Sequence, residues 1–163
     1  MKAIVCVDKN WGIDSQGDLL FHIPADLRFF KEKTIGNVVV MGQATFFSLP
    51  GQRPLPDRVN VVLAADPAWS AEGVIAVHSL EELFLLLERY DSRLVYVCGG
   101  ASIYEQLLPY CDTAYVTKVD AERPADKFFP DLDADPGWAL IREKEEQEHN
   151  GLRFCFTTYK TVE

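Results

Sequence analysis

Short apolar runs alternate along this chain with segments whose apolar positions recur at helical spacing. Residues 3–8 are one such run, of a length that suits a buried strand. A polar, glycine-containing stretch over 9–17 reads as a loop, and Leu19-Leu20-Phe21-His22-Ile23 leads into Pro24. Residues 24–33 then read as a helix, with Pro24 at the first helical position, where no N–H is needed. Residues 37–41 are largely β-branched, end at Gly42 and read as a strand. Residues 43–48 look like a short helix, and Pro50-Gly51 and Pro54-Leu55-Pro56-Asp57 punctuate a long connection. Further strands are predicted over 59–63, 74–77, 94–98 and 113–119. Ser79-Leu80-Glu81-Glu82 is a capping-box pattern that opens a helix through Glu88, and another helix covers 102–108 until Pro109 stops it. Residues 138–144 and 152–160 look like paired antiparallel strands around a turn at Asn150-Gly151.

This order implies an α/β fold. The expectation is one domain over 1–163 with a mixed, mostly parallel sheet of about eight strands, a C-terminal antiparallel hairpin and about four flanking helices. In open sheets of this kind ligands bind beyond the carboxyl ends of the strands, which here fall at Asp8, Gly42, Ala64 and Gly99. A chain of 163 residues buries enough surface to need no disulfide or metal.

Charge narrows the partners. The formal net charge of −9 argues against nucleic acid or an anionic membrane, because phosphate binding needs clustered Lys and Arg. The acidic run over 143–148 reads as a solvated strand face. No apolar window reaches the length of a membrane span. The N-terminus meets an acid at Asp8, too soon for a signal peptide, and reads as a strand. Cys6, Cys98, Cys111 and Cys155 have neither metal-knuckle nor redox spacing, and Cys6, Cys98 and Cys155 lie in apolar strand patterns as small hydrophobes. His22, His78 and His149 are scattered, so no metal is expected. Reduced thiols without an export signal point to the cytoplasm.

Four features carry candidate chemistry, each with a plainer alternative. Asp26 lies in the first turn of a helix and among apolar neighbours, so the helix end favours its ionised form and burial opposes it. Such an acid suits a cationic or hydrogen-bond-donating heterocycle, and the alternative is simple capping. Gly99-Gly100-Ala101-Ser102 and Gly42-Gln43-Ala44-Thr45 are two strand-to-helix turns able to approach phosphate, and together they suggest one extended dinucleotide. Either is alternatively a tight turn, and neither has the Rossmann fingerprint. Leu27, Phe30, Leu49 and Leu55 line either a slot for a flat ring or ordinary core. Arg58 is either a two-pronged clamp for a carboxylate or a solvated cation.

The runs Ile23-Pro24-Ala25-Asp26-Leu27 with Phe30-Lys31, Val40-Met41-Gly42 with Thr45-Phe46, and Arg53-Pro54-Leu55-Pro56-Asp57-Arg58 occur here in one order. They are followed by Cys98-Gly99-Gly100-Ala101-Ser102-Ile103-Tyr104, Tyr115-Val116-Thr117-Lys118-Val119 and Asp126-Lys127-Phe128-Phe129-Pro130. Taken in register over nearly the whole chain, these segments resemble the dihydrofolate reductases. The resemblance implies hydride transfer from NADPH to 7,8-dihydrofolate, giving tetrahydrofolate for one-carbon metabolism. Asp26 would bind the amidine-like edge of the pteridine and aid its protonation, with Thr117 supporting that carboxylate and Leu19 and Phe21 beside the reacting rings. Ile4 and Cys98 would offer backbone carbonyls to the pteridine amino group. Val5, Cys6, Leu27, Phe30, Leu49 and Leu55 would shape the pocket, and Arg58 would hold the tail carboxylate. The stretch over 13–19 would be a mobile lid.

Implied cofactor contacts are Cys6, Ile13, Gly17, Leu19, Gly42, Gln43, Ala44, Thr45, Leu63, Ala64, Ala65, His78, Cys98, Gly99, Gly100, Ala101, Ser102, Ile103 and Tyr104. Gln43 stands where family members that use the phosphorylated cofactor usually carry a basic residue, and Ala64-Ala65-Asp66 where Ser or Thr is common. NADH is therefore a second candidate, and His78 a partial substitute cation. Asp14 occupies a frequent glycine position, which requires a negative φ there, and Phe21 a frequent tryptophan position, which removes an indole donor. Expected partners are dihydrofolate and antifolate small molecules, with the protein acting as a monomer. Two rival readings are a pyrimidine reductase of riboflavin synthesis, which would lack the Asp26 helix and Arg58, and a non-catalytic folate- or dinucleotide-binding paralogue.

Overall fold

The structure is a computed structural model that describes residues 1–163. In chain order its strands are β1 (Lys2–Val7), β2 (Gly12–Ser15), β3 (Asp18–Leu19), β4 (Val38–Gly42), β5 (Val59–Leu63), β6 (Val74–Val77), β7 (Val95–Val97), β8 (Thr113–Val119), β9 (Lys127–Phe128), β10 (Trp138–Glu143), β11 (Gln147–His149) and β12 (Leu152–Thr161). The helices are α1 (Pro24–Thr34), α2 (Gln43–Ser48), α3 (Leu80–Leu87) and α4 (Ala101–Leu107). The large sheet runs β10-β12-β8-β1-β7-β4-β5-β6, with β11 also paired to β12. From β8 to β6 every pairing is parallel, and β12 adds the antiparallel edge.

The expected sheet is present, and burial on both faces explains why its central strand β4 is apolar throughout. Every residue of β4 is buried. Val38 and Val40 point into the largest core cluster, with Leu83, Leu107 and Val116, whereas Val39 and Met41 point the other way, against Phe46 and Val62. A strand covered on both faces has no solvent side on which polar residues would alternate. Under α1 a third cluster joins Leu20, Phe21, Ile23, Val119, Phe154 and Phe156.

Two expectations need correction. The stretch over 9–17, read as a loop, contains β2, which pairs antiparallel with β3 and β9 in a separate three-stranded sheet. Its strands are four residues or shorter and carry no alternation to detect. The C-terminal hairpin is also divided. Asn150-Gly151 joins β11 to β12, while β10 pairs with the far half of β12 and shows a register irregularity between Leu140 and Arg142. An exposed acidic segment separates β10 from β11, a short strand that the sequence reading did not predict. No helix is long and apolar enough to cross a membrane.

Candidate active site

α1 begins at Pro24 behind Ile23, and Ile23 makes no side-chain cap. The Asp26 amide donates to the Ile23 carbonyl at 3.0 Å, so the carboxylate is free for another partner. That partner is Thr117 of β8, whose hydroxyl donates to Asp26 Oδ1 at 2.6 Å. Thr117 is buried, and its register partner in β1 is Cys6, which projects from the same face of the sheet. Simple capping is thereby excluded for this acid. Burial raises the Asp26 carboxyl above its ordinary range, while the Thr117 and Cys6 bonds pull it back. No cation is among the groups that act on it.

Of the apolar candidates, Leu27 is 56% exposed and Leu19 is 50% exposed, while Phe21 is buried and Phe30, Leu49 and Leu55 are half-buried. The exposed Leu27, next to Asp26 in α1, leaves apolar surface for a ligand to cover. Phe29, on the adjoining side of α1, instead stacks on Phe156 with ring centroids 4.6 Å apart and belongs to the core. The Pro-rich turn carrying Leu55 is clasped by Asn60, which accepts from the Leu55 amide and donates to the Leu55 carbonyl, each at 2.9 Å. Arg58 follows that turn. It donates to the Pro56 carbonyl at 2.9 Å and to the Thr34 hydroxyl at 3.1 Å, and lies 6.0 Å from the centre of the Phe30 ring. It pairs with no carboxylate of the chain. A cation oriented by neutral acceptors and left without a counter-ion is ready for an external anion.

The two glycine turns are joined directly. The Gly42 amide donates to the Gly99 carbonyl at 2.9 Å. A Cβ on Gly42 would come within 2.9 Å of Ile103 Cγ1, so this turn packs against α4 only because it lacks a side chain. Gly99 has φ +116°, a conformation that other residues rarely adopt. Gly100 faces the Thr45 hydroxyl. From α4, Tyr104 reaches back across the sheet and its hydroxyl donates to the Ile4 carbonyl at 2.6 Å, tying the glycine turns to the strand that carries Cys6. Ile103 and Tyr104 are buried, Ala101 is half-buried, and Ser102 is exposed with its hydroxyl accepting from the Gln106 side chain. Burial pushes the Cys98 thiol up to about 12, so it stays neutral.

The lid region is held from a distance. The Gln16 amide donates to Asp126 Oδ2 at 2.8 Å, and the Asp126 amide donates to the Asp14 carbonyl at 3.0 Å. Ile13 is buried, and Gly17 sits in open surroundings at the hairpin tip. Asp14 keeps a negative φ as required, and Gln16 and Gly17 carry the positive values. Arg123 takes the place of an indole partner at Phe21: its guanidinium lies 4.5 Å from the ring centre, and it donates to the Leu20 carbonyl. At the far end of the cleft, His78 Nδ1 is 2.9 Å from the Ala64 carbonyl. Asp66 is turned into its own loop, where it accepts from the Ala68 amide at 2.9 Å. Leu63, Ala64, Ala65 and His78 therefore meet at the ends of β5 and β6. Gln43 and Ala44 open α2 beside them in the sheet order.

Thr34, Asn60, Arg123 and Asp126 do not figure in the sequence reading of the site. Each acts through a contact made by folding, up to 110 residues away for Asp126 and Gln16, and none lies in a distinctive local pattern.

The sheet and cleft define a single-domain α/β protein that binds small molecules at its strand ends. The family model for dihydrofolate reductase matches residues 1–161. The chain is 34% identical over 159 residues to the dihydrofolate reductase of Bacillus subtilis (strain 168), covering 96% of this chain and 92% of that one. It is 43% identical over 129 residues to dihydrofolate reductase type 3 of Salmonella typhimurium, covering 79% and 75%. Among solved structures it is similar to a dihydrofolate reductase from Enterococcus faecalis complexed with NADP(H) and RAB-propyl, with a TM-score of 0.88, 36% identity and coverage of 99% and 96%. The chain belongs to the dihydrofolate reductase family.

Proposed function

We propose that this protein is a dihydrofolate reductase that uses NADPH, with Asp26 as the group that engages the pteridine. The observation carrying this reading is the half-buried Asp26 carboxylate, which accepts from the buried Thr117 hydroxyl and has no cation acting on it. The residues present fit a dinucleotide: Gly42 and Gly99 form a backbone surface on which one added Cβ would already collide with α4. When bound, NADPH supplies the hydride.

Asp26 binds the amidine-like edge of the pteridine, and its charge makes the ring nitrogen more basic, with water delivering the proton. Thr117 keeps the carboxylate in one orientation. Ile4 and Cys98 present backbone carbonyls to the amino group. The Ile4 carbonyl already accepts from Tyr104, and its second lone pair accommodates a further donor. Leu27, Phe30, Leu49 and Leu55 enclose the flat rings, and Arg58 takes the carboxylate of the tail. The lid strands, with Ile13 and Leu19, exclude water from the reacting rings. His78 and Gln43 are the polar groups that face the ribose end. The working form is a monomer acting on small molecules.

The test is loss of reduced-nicotinamide absorbance on mixing the protein with NADPH and dihydrofolate. Turnover supports the reading. Binding of both ligands without turnover, or turnover of a ribosylaminopyrimidine alone, overturns it. Replacing NADPH by NADH in the same assay measures the preference set by Gln43, Ala64, Ala65 and His78.

A further inference from the structure

We infer that the Cys6 thiol is a positioning residue for Asp26: it donates a hydrogen bond to the carboxylate from β1 as Thr117 does from β8, so the acid is held between two adjacent strands. This deepens the reading of Asp26 given above and rests on it.

The geometry comes from strand register. Cys6 and Thr117 are paired across the parallel β1–β8 ladder, and side chains at paired positions project on the same face. Thr117 places its hydroxyl 2.6 Å from Asp26 Oδ1. Its neighbour Cys6 therefore projects toward the same carboxyl. Burial, then the nearby Asp26 charge, hold Cys6 well above the ordinary thiol range, so it keeps its proton and acts as a donor, not a nucleophile.

The other polar groups around the acid do not duplicate this role. Tyr104, from α4, is committed to the Ile4 carbonyl and stays neutral. Cys98, at the end of β7, and Asp14, in the lid, act on Tyr104 and not on Asp26. β12 presents the apolar Phe156, and His22, before α1, is turned to Asp18. Only Thr117 and Cys6 stabilise the ionised form.

The sign of the effect is distinctive. A thiol that donates to the carboxylate lowers its proton affinity, so removing the thiol raises it further. A cavity that merely let water in would re-solvate the acid and lower it. The experiment titrates the Asp26 carboxyl by carbon NMR in the ligand-free protein. Cys6→Ala is expected to move the carboxyl midpoint upward, a rise of about threefold in its proton affinity. Cys6→Ser, with a stronger donor of similar size, is expected to move the midpoint below the parent. The inference is overturned if Cys6→Ala leaves the midpoint unchanged or lowers it, or if Cys6→Ser raises it. Should Cys6→Ala not fold, the direction of the Cys6→Ser shift decides. Because the NMR titration needs no turnover, an inactive parent would sink the functional reading while the carboxyl titration still judged Cys6.

Discussion

The two ends of the cleft are built from different materials. At the Asp26 end the contacts are made by side chains: Thr117 of β8 on the acid, Thr34 under Arg58, and Asn60 clasping the turn that carries Leu55. At the glycine end the contacts are backbone to backbone, as in Gly42 to Gly99, and the side chains matter mainly by being absent. A side-chain site sets the charge and proton affinity of one group. A backbone cradle sets shape and tolerates changes in the residues that flank it. Of the departures that the family resemblance marks, Gln43, Ala64 and Ala65 lie at the cradle end, and Asp14 and Phe21 lie in and beside the short three-stranded sheet.

The comparison breaks if side-chain changes at the acid end leave chemistry intact. Asp26→Asn should lower turnover at neutral pH by about 100-fold or more, read by reduced-nicotinamide absorbance. The same variant should melt at a higher temperature than the parent at neutral pH. Burial holds the folded carboxyl above its unfolded value, so the ionised acid costs stability as the pH rises past that unfolded value, and Asn removes this cost. Near-normal rates, or a lower melting temperature at neutral pH, would contradict the role given to this acid.

Arg58→Leu comes next in size. It should weaken dihydrofolate binding by about 30-fold and leave the dissociation constant of NADPH unchanged, both measured by fluorescence titration. Equal losses for the two ligands would mean that the ends of the cleft are not separable. At the glycine end, Gly42→Ala should cost about 1–3 kcal/mol of stability through the 2.9 Å contact with Ile103 and weaken NADPH more than dihydrofolate. Denaturant melts read the loss, and a second change, Ile103→Val, should restore part of it. The smallest effect is expected for Thr117→Val, about fivefold in kcat/KM at neutral pH, with the Asp26 carboxyl midpoint displaced upward because a donor to the carboxylate is lost. A midpoint displaced downward would mean that Thr117 acts through packing.

How much of this was legible in the sequence depends on the range of the interaction. Apolar runs and β-branched residues marked eight strands of the large sheet, most clearly β4, because a strand buried on both faces must be apolar along its length. Pro24 and the Ser79 capping box marked helix starts within one or two residues, because those signals act locally. The short strands of the lid, at two to four residues, did not register, because pairing and not composition makes them strands. The divided C-terminal hairpin was missed for the same reason.

For the site, local pattern alone left Asp26 closer to a helix cap than to an acid with a task, and resemblance to the family reversed that balance. The chain by itself determined the order of elements, the two glycine corners and the presence of an acid in the first turn of α1, since each depends on neighbours a few residues away. Tertiary structure alone decided that Cys6 and Thr117 flank that acid, that Thr34 steadies Arg58 and that Asp126 holds the lid. Those pairs are brought together by strand register and loop closure across up to 110 residues, distances over which no sequence pattern repeats.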